Sequence, residues 1–303
     1  MKKIIIICGP TGIGKTSFAI NVAKLFHGEV VSADSMQIYK YMNIGTAKPD
    51  PDELKLATHH LIDFLDPKDE YDAGMFVKAA DSAIAHIIDR GKIPLIAGGT
   101  GLYIKALLHG LFRSKPVDTN ILSQLDKELG EKGNLLLYKQ LEKCDPKAAK
   151  TIHPNDSFRI LRALEFFKTN NQKISDWQKN HGFNENRYDY LKLGLYMERE
   201  KLYERINKRV DMMLSQGLLK EVITLIENGY SLDLKSMQSI GYKQMGMFIK
   251  NEIDWDEAVR LLKRDTRRYA KRQFTWFNKD KQINWVKPSE IDQAKRLIEV
   301  FLT

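Results

Sequence analysis

The stretch GPTGIGKT at residues 9–16 constrains the fold of this chain more than any other feature. It satisfies the pattern GxxxxGK[ST] between an apolar run, KIIIIC at 3–8, and a helical pattern from about Lys15 to Phe26. In that context the pattern predicts a P-loop, whose backbone N–H groups close around phosphate oxygens at a helix amino terminus. Lys15 is expected to add a point charge, and Thr16 to ligate Mg²⁺. The predicted diphosphate-binding residues are Gly9, Pro10, Thr11, Gly12, Ile13, Gly14, Lys15 and Thr16.

Further strand patterns predict a parallel sheet around this loop. EVVSAD at 29–34 is a second short strand, and KIPLIAGGTGLYIKALLHG at 92–110 predicts a strand through Ala97, a glycine turn and a helix from about Leu102. YLKLGLYM at 190–197 predicts one more strand, after which only long amphipathic helices are expected. The fold class is therefore α/β, a P-loop NTPase-like parallel sheet flanked by helices, with ligands at the carboxyl edge of the strands.

The middle of the chain has a different pattern. From about Lys115 to Asn186 it predicts polar helices punctuated by prolines, with little β signal. We therefore expect an inserted all-helical domain at 115–186, and a catalytic core made of 1–114 and 187–303.

Charge and hydropathy restrict the partners and the compartment. The net charge of +9 favours polyanionic partners. On a helical wheel one half of the segment around 260–272 carries seven cations, interrupted only by Asp265: Arg260, Lys263, Arg264, Arg267, Arg268, Lys271 and Arg272. The longest early apolar run is too short to span a bilayer and lacks a signal-peptide pattern, so a cytoplasmic protein without a membrane partner is expected. Cys8 and Cys144 have no zinc spacing and predict no metal site.

The segment SADSMQIY at 32–39 places Asp34 at the end of the second predicted strand. Three interpretations remain open from the residues alone. Asp34 could be a Mg²⁺ ligand of a nucleotide hydrolase, a base that deprotonates a substrate, or a helix cap with Gln37 three residues on.

Six separated blocks extend this pattern. They are SADSMQIYKYMNIGTAKP (32–49), HHLID (59–63), AGGTGLY (97–103), NDSFRILRALE (155–165), SIGYKQM (239–245) and AKRQFTWF (270–277). In these blocks and their order the chain resembles the tRNA dimethylallyltransferase family, also called tRNA isopentenyltransferases. The resemblance implies transfer of the dimethylallyl group of dimethylallyl diphosphate to N6 of the adenosine 3′ to the anticodon, position 37 of tRNA. Mg²⁺ is the implied cofactor, and diphosphate is the leaving group.

The resemblance also implies roles for individual residues. Asp34 matches the family's general base, Thr100 a substrate-site residue and Arg209 an arginine aimed at the diphosphate. Gln37 would offer its amide to an adenine edge, and Tyr242 a stacking face, with core packing as the alternative for Tyr242. The helical insertion would clamp the tRNA anticodon stem and loop. The residues expected to bind tRNA are Asp34, Ser35, Met36, Gln37, Thr100, Phe158, Arg159, Ile160, Leu161, Arg162, Ser239, Ile240, Gly241, Tyr242, Lys243, Gln244, Arg264, Arg268, Lys271 and Arg272.

Other readings of the same residues remain as alternatives. An adenylate isopentenyltransferase would modify free AMP, a P-loop kinase would transfer phosphoryl groups, and a non-catalytic RNA-binding protein would keep the loop as a switch. The chain departs from the family at Leu122, where many relatives have an arginine, so one tRNA contact is expected to be missing or supplied by Lys127. We expect a bacterial-type enzyme that acts as a monomer. The base and the isoprenoid would enter a channel from opposite ends, and no covalent enzyme intermediate is expected.

Overall fold

A computed structural model describes residues 1–111, 118–181 and 186–303. Its centre is a six-stranded sheet in the order β3-β2-β4-β1-β5-β6, in which every pair of neighbours is parallel. This confirms the predicted α/β, P-loop NTPase-like class. The strands are β1 Lys3–Cys8, β2 Gly28–Ser32, β3 His59–His60, β4 Ile93–Gly98, β5 Asp189–Leu195 and β6 Ile283–Val286.

Fourteen helices accompany the strands in the described residues. They are α1 Lys15–Phe26, α2 Pro51–Leu56, α3 Ala73–Asp89, α4 Gly101–His109, α5 Thr119–Lys132, α6 Asn134–Cys144, α7 Pro146–Thr151, α8 Ser157–Asn170, α9 Ile174–His181, α10 Arg199–Ser215, α11 Leu218–Glu227, α12 Tyr242–Ile249, α13 Trp255–Phe277 and α14 Ile291–Leu302. Among the described residues, no helix combines the length and the hydropathy needed to cross a bilayer.

The apolar run of β1 explains why this strand lies inside the sheet. Successive side chains of a strand point to opposite faces, so a strand covered on both faces must be apolar at every position. Ile5 and Ile7 belong to the core cluster that contains residues of α1 and α14, and Ile4 and Ile6 belong to the one that contains residues of α3 and α4. The strand therefore holds the loop that follows it between two packed layers.

The expectation of only helices after residue 197 is wrong. Residues 283–286, INWV, form β6 and pair with β5 at the edge of the sheet. Ile283 and Val286 are buried, and the ring of Trp285 lies against Gly194, where a side chain would overlap with it. A four-residue edge strand is too short to show a clear alternation, which is why the sequence pattern did not indicate it.

The chain divides into two compact units, Met1–Leu108 with Asn186–Thr303 and His109–Glu185. The predicted boundary between 114 and 115 lies outside the described residues. The second unit has its own apolar core, which includes Leu125, Leu141 and Phe166. Glu165 is buried in this unit and is held by Arg162, Thr169 and the backbone N–H of Asp118, so its charge does not lack partners.

Candidate active site

Three loops leave the carboxyl ends of β1, β2 and β4 at one edge of the sheet. Because β4 lies between β1 and β2, the loop after β4 stands between the other two. The Thr100 backbone N–H donates to the Ala33 carbonyl at 3.2 Å, and Ala33 N–H donates to the Ala97 carbonyl at 2.8 Å. The P-loop, the segment that starts at Asp34, and the loop through Thr100 therefore share one site.

The P-loop has the backbone that the motif requires. Gly12 and Gly14 have φ values of 81° and 101°, in the left-handed region that favours glycine. Ile13 is buried in the core, so only its backbone is available to a ligand. The Lys15 ammonium donates to the Pro10 carbonyl at 2.9 Å. Burial lowers the pKa of Lys15 to about 8, with Arg209 acting in the same direction and Asp34 in the opposite one.

Two arginines of α10 face the P-loop. Arg209 donates from Nη2 to the Thr11 hydroxyl at 2.8 Å, while its buried Nε has no hydrogen-bond partner among the residues that the structure describes. Burial lowers the pKa of Arg209, Asp34 opposes that shift, and the neighbouring Arg205 adds to it. Arg205 lines the same cavity as Lys15 and Thr16 and has no carboxylate partner among the described residues. Sequence reasoning found Arg209 but missed Arg205, although the spacing of four residues places both on one helix face.

Asp34 closes a turn rather than capping a helix. Its Oδ1 accepts hydrogen bonds from Met36 N–H at 2.8 Å and Gln37 N–H at 3.3 Å, and residues 33–43 contain no helix. Such an Asx turn fixes the carboxylate relative to its own backbone. Its Oδ2 takes no hydrogen bond from the described residues, so one oxygen is oriented by the chain and the other is open.

The neighbours of Asp34 are also tied to the chain. The Thr100 hydroxyl accepts from Ser35 N–H at 3.2 Å. The Gln37 amide donates to the Ala47 carbonyl at 2.9 Å and accepts from the Ser32 hydroxyl at 3.2 Å. The expectation that Gln37 offers a free amide to an adenine edge therefore does not fit this geometry.

Two cavities meet at Asp34. The first, of about 180 Å³, is lined by P-loop residues, including Thr16, and by Arg205 and Arg209. The second, of about 320 Å³, is lined by Met36, Val210, Met213, Ser239, Ile240, Gly241, Leu262, Tyr269 and Arg272, among others. Both are lined by Thr11, Asp34, Thr46 and Arg209. Asp34 thus lines both the cavity at the P-loop and a partly apolar pocket.

The glycines after β4 are needed for close packing and not for an unusual turn. Gly98, Gly99 and Gly101 do not have positive φ. A side chain on Gly98 would overlap with the Ala33 carbonyl, on Gly99 with the Gln273 amide, and on Gly101 with the Trp276 ring. Gln273 is a site residue that sequence reasoning missed, although it lies inside the block AKRQFTWF.

A carboxylate on α11 fixes the turn 43–45, which directly precedes Thr46, a residue that lines both cavities. Glu221 accepts from the backbone N–H groups of Asn43, Ile44 and Gly45 at 2.8 to 3.1 Å, and from the Tyr242 hydroxyl at 2.6 Å. Tyr242 is 0% exposed, and burial and Glu221 raise its pKa well above the usual value. The expectation of base stacking on Tyr242 does not fit this position, and its core-packing alternative does.

The other residues expected to bind RNA fall into exposed and buried groups. Phe158 is 77% exposed, and Arg159 and Lys243 are also exposed. Ile160 and Leu161 are buried in the core of the second unit, and Gln244 is buried with its amide on Asp265 and on the Gly241 N–H. These three side chains face the interior from their helices, so they are too buried to contact RNA directly.

The cations of α13 are partly neutralised. Arg260 pairs with Glu257, Lys263 with Asp211, and Arg264 and Arg268 with Asp265. Arg267 donates to Asn207. Lys271 and Arg272 have no carboxylate partner among the described residues, and Arg272 lies over the Tyr269 ring at 5.6 Å. The least compensated charge therefore lies toward the carboxyl end of the helix, where Arg272 lines the second cavity.

The two neighbouring histidines differ in their surroundings. His60 contacts the buried Glu29, together with Arg90 and Lys92, at the other end of β2. His59 donates from Nδ1 to the Ala57 carbonyl at 2.8 Å if that nitrogen carries the proton, and burial lowers its pKa. Its buried Nε2 has no hydrogen-bond partner in the described part of the chain, and the residue lines the first cavity, which the sequence did not indicate.

The sequence and the fold of this chain are similar to those of known proteins. A family model described as "IPP transferase" matches residues 37–280. The chain is 47% identical to a protein of Desulfosudis oleivorans and 46% identical to one of Acetivibrio thermocellus, both named tRNA dimethylallyltransferase, over 99% of this chain and 96% of each relative. A tRNA isopentenylpyrophosphate transferase structure from Staphylococcus epidermidis is similar with a TM-score of 0.72 and 42% identity, over 99% of both chains. A eukaryotic dimethylallyltransferase described as acting on tRNA reaches a TM-score of 0.81 at 31% identity, over 98% of this chain and 78% of that one.

Proposed function

This chain belongs to the tRNA dimethylallyltransferase family, and from that premise we propose that it transfers a dimethylallyl group from dimethylallyl diphosphate to N6 of adenosine 37 of tRNA. The products would be N6-(dimethylallyl)adenosine and diphosphate. The observation that carries this proposal is the position of Asp34, on the wall shared by a P-loop cavity and a second pocket. A hydrolase needs only the first cavity, whereas transfer of a group from a diphosphate to a second substrate needs both.

Asp34 would act as the general base. The exocyclic amine of adenine is a weak nucleophile because its lone pair is delocalised into the ring. A carboxylate within hydrogen-bond reach can orient the amine and accept its proton as the new N–C bond forms. The Asx turn supports this role, since it holds Oδ1 against the backbone and leaves Oδ2 for the substrate.

The P-loop and the arginines of α10 would bind the leaving group. As the allylic C–O bond breaks, negative charge grows on the diphosphate, and fixed cations nearby lower the energy of that transition state. Gly12, Gly14, Lys15, Thr16 and Arg209 all line that cavity. The buried Nε of Arg209 finds no acceptor within the described ranges, and a bound anion would supply one.

The residues around the P-loop fit a Mg²⁺ ion bound mainly by the substrate. No cluster of three or more His, Cys, Asp or Glu side chains suited to a metal occurs in the described ranges, but Mg²⁺ keeps water and phosphate ligands and needs few protein ones. The Thr16 hydroxyl would hold it. When bound, the ion would supply positive charge at the diphosphate oxygens.

The phosphates of the tRNA would bind to the cations of α13, and adenosine 37 would enter the second cavity. Phosphate contacts would fix the position of the anticodon stem and loop, with Arg264, Arg268, Lys271 and Arg272 as the cations of this strip.

The target base is stacked in the anticodon loop, so it must be extruded to reach Asp34, at a cost of about a few kcal/mol. Ser35, Met36 and residues 239–241 line the cavity that would receive it, and base and donor would thus approach Asp34 from different cavities. We propose direct displacement without a covalent enzyme intermediate.

The decisive experiment incubates the protein and Mg²⁺ with labelled dimethylallyl diphosphate and either unmodified tRNA or AMP. Label on tRNA alone is expected. Asp34→Asn should lower the rate by about 10²- to 10⁴-fold, because the variant retains the shape but not the base. Label on AMP would identify an adenylate isopentenyltransferase, and phosphoryl transfer from ATP without prenyl transfer would identify a kinase. Normal tRNA binding without any transfer would favour a non-catalytic RNA-binding protein.

The setting of this reaction follows from its substrate. We propose that the protein works in the cytoplasm on tRNA. We also propose that it acts as a monomer, since one chain lines both cavities.

A further inference from the structure

Gln273 connects the two loops on which the proposed reaction depends. Its side-chain Oε1 accepts from the Thr11 backbone N–H at 2.8 Å, and its Nε2 donates to the Gly99 carbonyl at 2.9 Å. The orientation of this amide is unambiguous, because a backbone N–H can only donate and a carbonyl can only accept. One side chain therefore bridges the P-loop and the loop that carries Thr100.

The position of Gln273 on α13 makes this bridge rigid. The residue is 6% exposed on a 23-residue helix, among buried apolar neighbours such as Ala270 and Phe277. Burying an amide is costly unless its polar atoms are bonded, and here both ends are. On the other side, Gly99 has no side chain where a Cβ would overlap with the Gln273 amide. The close approach is thus formed by a matched pair, a glutamine and a glycine.

The bridge is one link in a continuous series of contacts between the leaving-group side and the base side of the site. Arg209 donates to the Thr11 side chain, and the Thr11 backbone donates to Gln273. Beyond Gly99, the Thr100 hydroxyl accepts from Ser35 N–H, next to Asp34. The pairing of β1 with β4 extends to Cys8 and Gly98, and Gln273 adds a link between Thr11 and Gly99 beyond that pair.

We propose that Gln273 is a positioning residue that fixes the spacing between the diphosphate in the P-loop and the base at Asp34. This inference rests on the proposed function, because the spacing matters only if both substrates react across these loops. A displacement of about 1 Å between reacting groups can lower a rate about 10²-fold without weakening either substrate's binding. Gln273 also directly follows Lys271 and Arg272. RNA phosphates bound to these two cations would therefore contact the same turn of α13 that carries Gln273.

The test compares three variants in single-turnover transfer with both substrates saturating. Q273M keeps the size of the side chain and removes both hydrogen bonds. Q273E keeps an acceptor for Thr11 N–H but places a carboxylate oxygen against the Gly99 carbonyl. T275V is the matched control, since the Thr275 hydroxyl is exposed and bonds only to the carbonyl of Lys271 in its own helix.

We expect Q273M and Q273E to lower the transfer rate about 10- to 100-fold, with affinity for the anticodon stem-loop within about twofold of wild type and T275V unaffected. G99A pushes a methyl group against the same amide, and it should reproduce the loss if Q273M fails to fold. A folded Q273M with a wild-type transfer rate, or a loss that only follows RNA affinity or thermal stability, would overturn the inference. Absence of transfer by the wild-type protein would instead overturn the proposed function, and this inference with it.

Discussion

At the scale of single residues, the first cavity is lined by three cations that form no ion pair among the described residues. Lys15, Arg205 and Arg209 all line it, and Asp34 counters the effect of burial on the pKa of Lys15 and of Arg209. Such an arrangement is unfavourable without an anion, because burial disfavours the charged form and like charges repel. It becomes favourable when a diphosphate binds.

The pKa of Lys15 gives this cavity a pH dependence. Because the pKa is lowered to about 8, the side chain is charged below that pH and loses its proton above it in the ligand-free protein. The terminal phosphate of an alkyl diphosphate ionises near pH 6 by analogy with phosphate esters, so its charge is constant above pH 7. Affinity for an alkyl diphosphate should therefore fall between about pH 7 and 9, by up to about tenfold per pH unit above 8.

Calorimetric titration at several pH values measures this affinity. The Lys15→Met variant should bind the diphosphate weakly and without this pH dependence. A wild-type affinity constant over this range would contradict the prediction.

Arg205 should be a diphosphate contact of its own. We expect Arg205→Gln to raise KM for dimethylallyl diphosphate about tenfold, since a hydrogen bond to a charged group contributes about 1.5 kcal/mol or more. Lys208→Gln removes an exposed cation from the same helix that lines neither cavity, and it should leave KM unchanged. Equal effects of the two substitutions in steady-state assays would show that only overall charge matters.

At the scale of elements, α11 and α12 hold the turn 43–45 through one carboxylate. Tyr242→Phe removes one hydrogen bond to Glu221 and should lower the free energy of unfolding by about 1 kcal/mol. Glu221→Ala also leaves three backbone N–H groups without their acceptor, so we expect a loss of about 3 kcal/mol or more. Urea unfolding measures both values. Glu227→Ala, an exposed glutamate of α11, serves as the control, and an equal effect there would contradict this assignment.

The cations of α13 should not contribute equally to RNA binding. Lys271 has no described carboxylate partner, whereas Arg260 donates twice to Glu257 at 2.6 Å and must give up that pair to reach a phosphate. Lys271→Ala should therefore reduce the slope of log K against log salt by about one unit, and Arg260→Ala should reduce it less. Filter binding of an anticodon stem-loop at several salt concentrations measures both slopes. A larger effect at Arg260 would mean that the strip binds RNA farther along the helix.

The elements near the P-loop could be predicted from sequence because their signals are local. A strand, a fixed glycine pattern and a helix follow each other within residues 3–26, and the structure confirms all three. The roles of Gly99 and Tyr242 could not be predicted in this way. Each depends on a partner distant in the chain, Gln273 for the glycine and Glu221 for the tyrosine, and only the folded chain brings these partners together.

At the scale of the whole molecule, the core of residues 109–185 is separate from the cores around the sheet. Phe166 is buried in that core with Leu125 and Leu141. Phe166→Ala should destabilise this unit by about 3 to 5 kcal/mol through the cavity it leaves. Calorimetry should show an earlier transition for the variant, while its affinity for an alkyl diphosphate, bound by the other unit, stays at the wild-type value. Parallel loss of diphosphate binding at temperatures below that transition would contradict the independence of the two cores.

The parallel pairing of β1 with β5 has a consequence for how the chain is made. In the folded sheet Lys3 is paired with Asp189, which follows the whole helical insertion in the sequence. During synthesis the isoleucine-rich β1 emerges first, and one of its two edges has no partner until β5 has left the ribosome. An unpaired apolar strand edge is prone to associate with other chains. The nascent protein should thus depend on chaperones for longer than its local helices would suggest, and slow translation through the insertion should lower its yield.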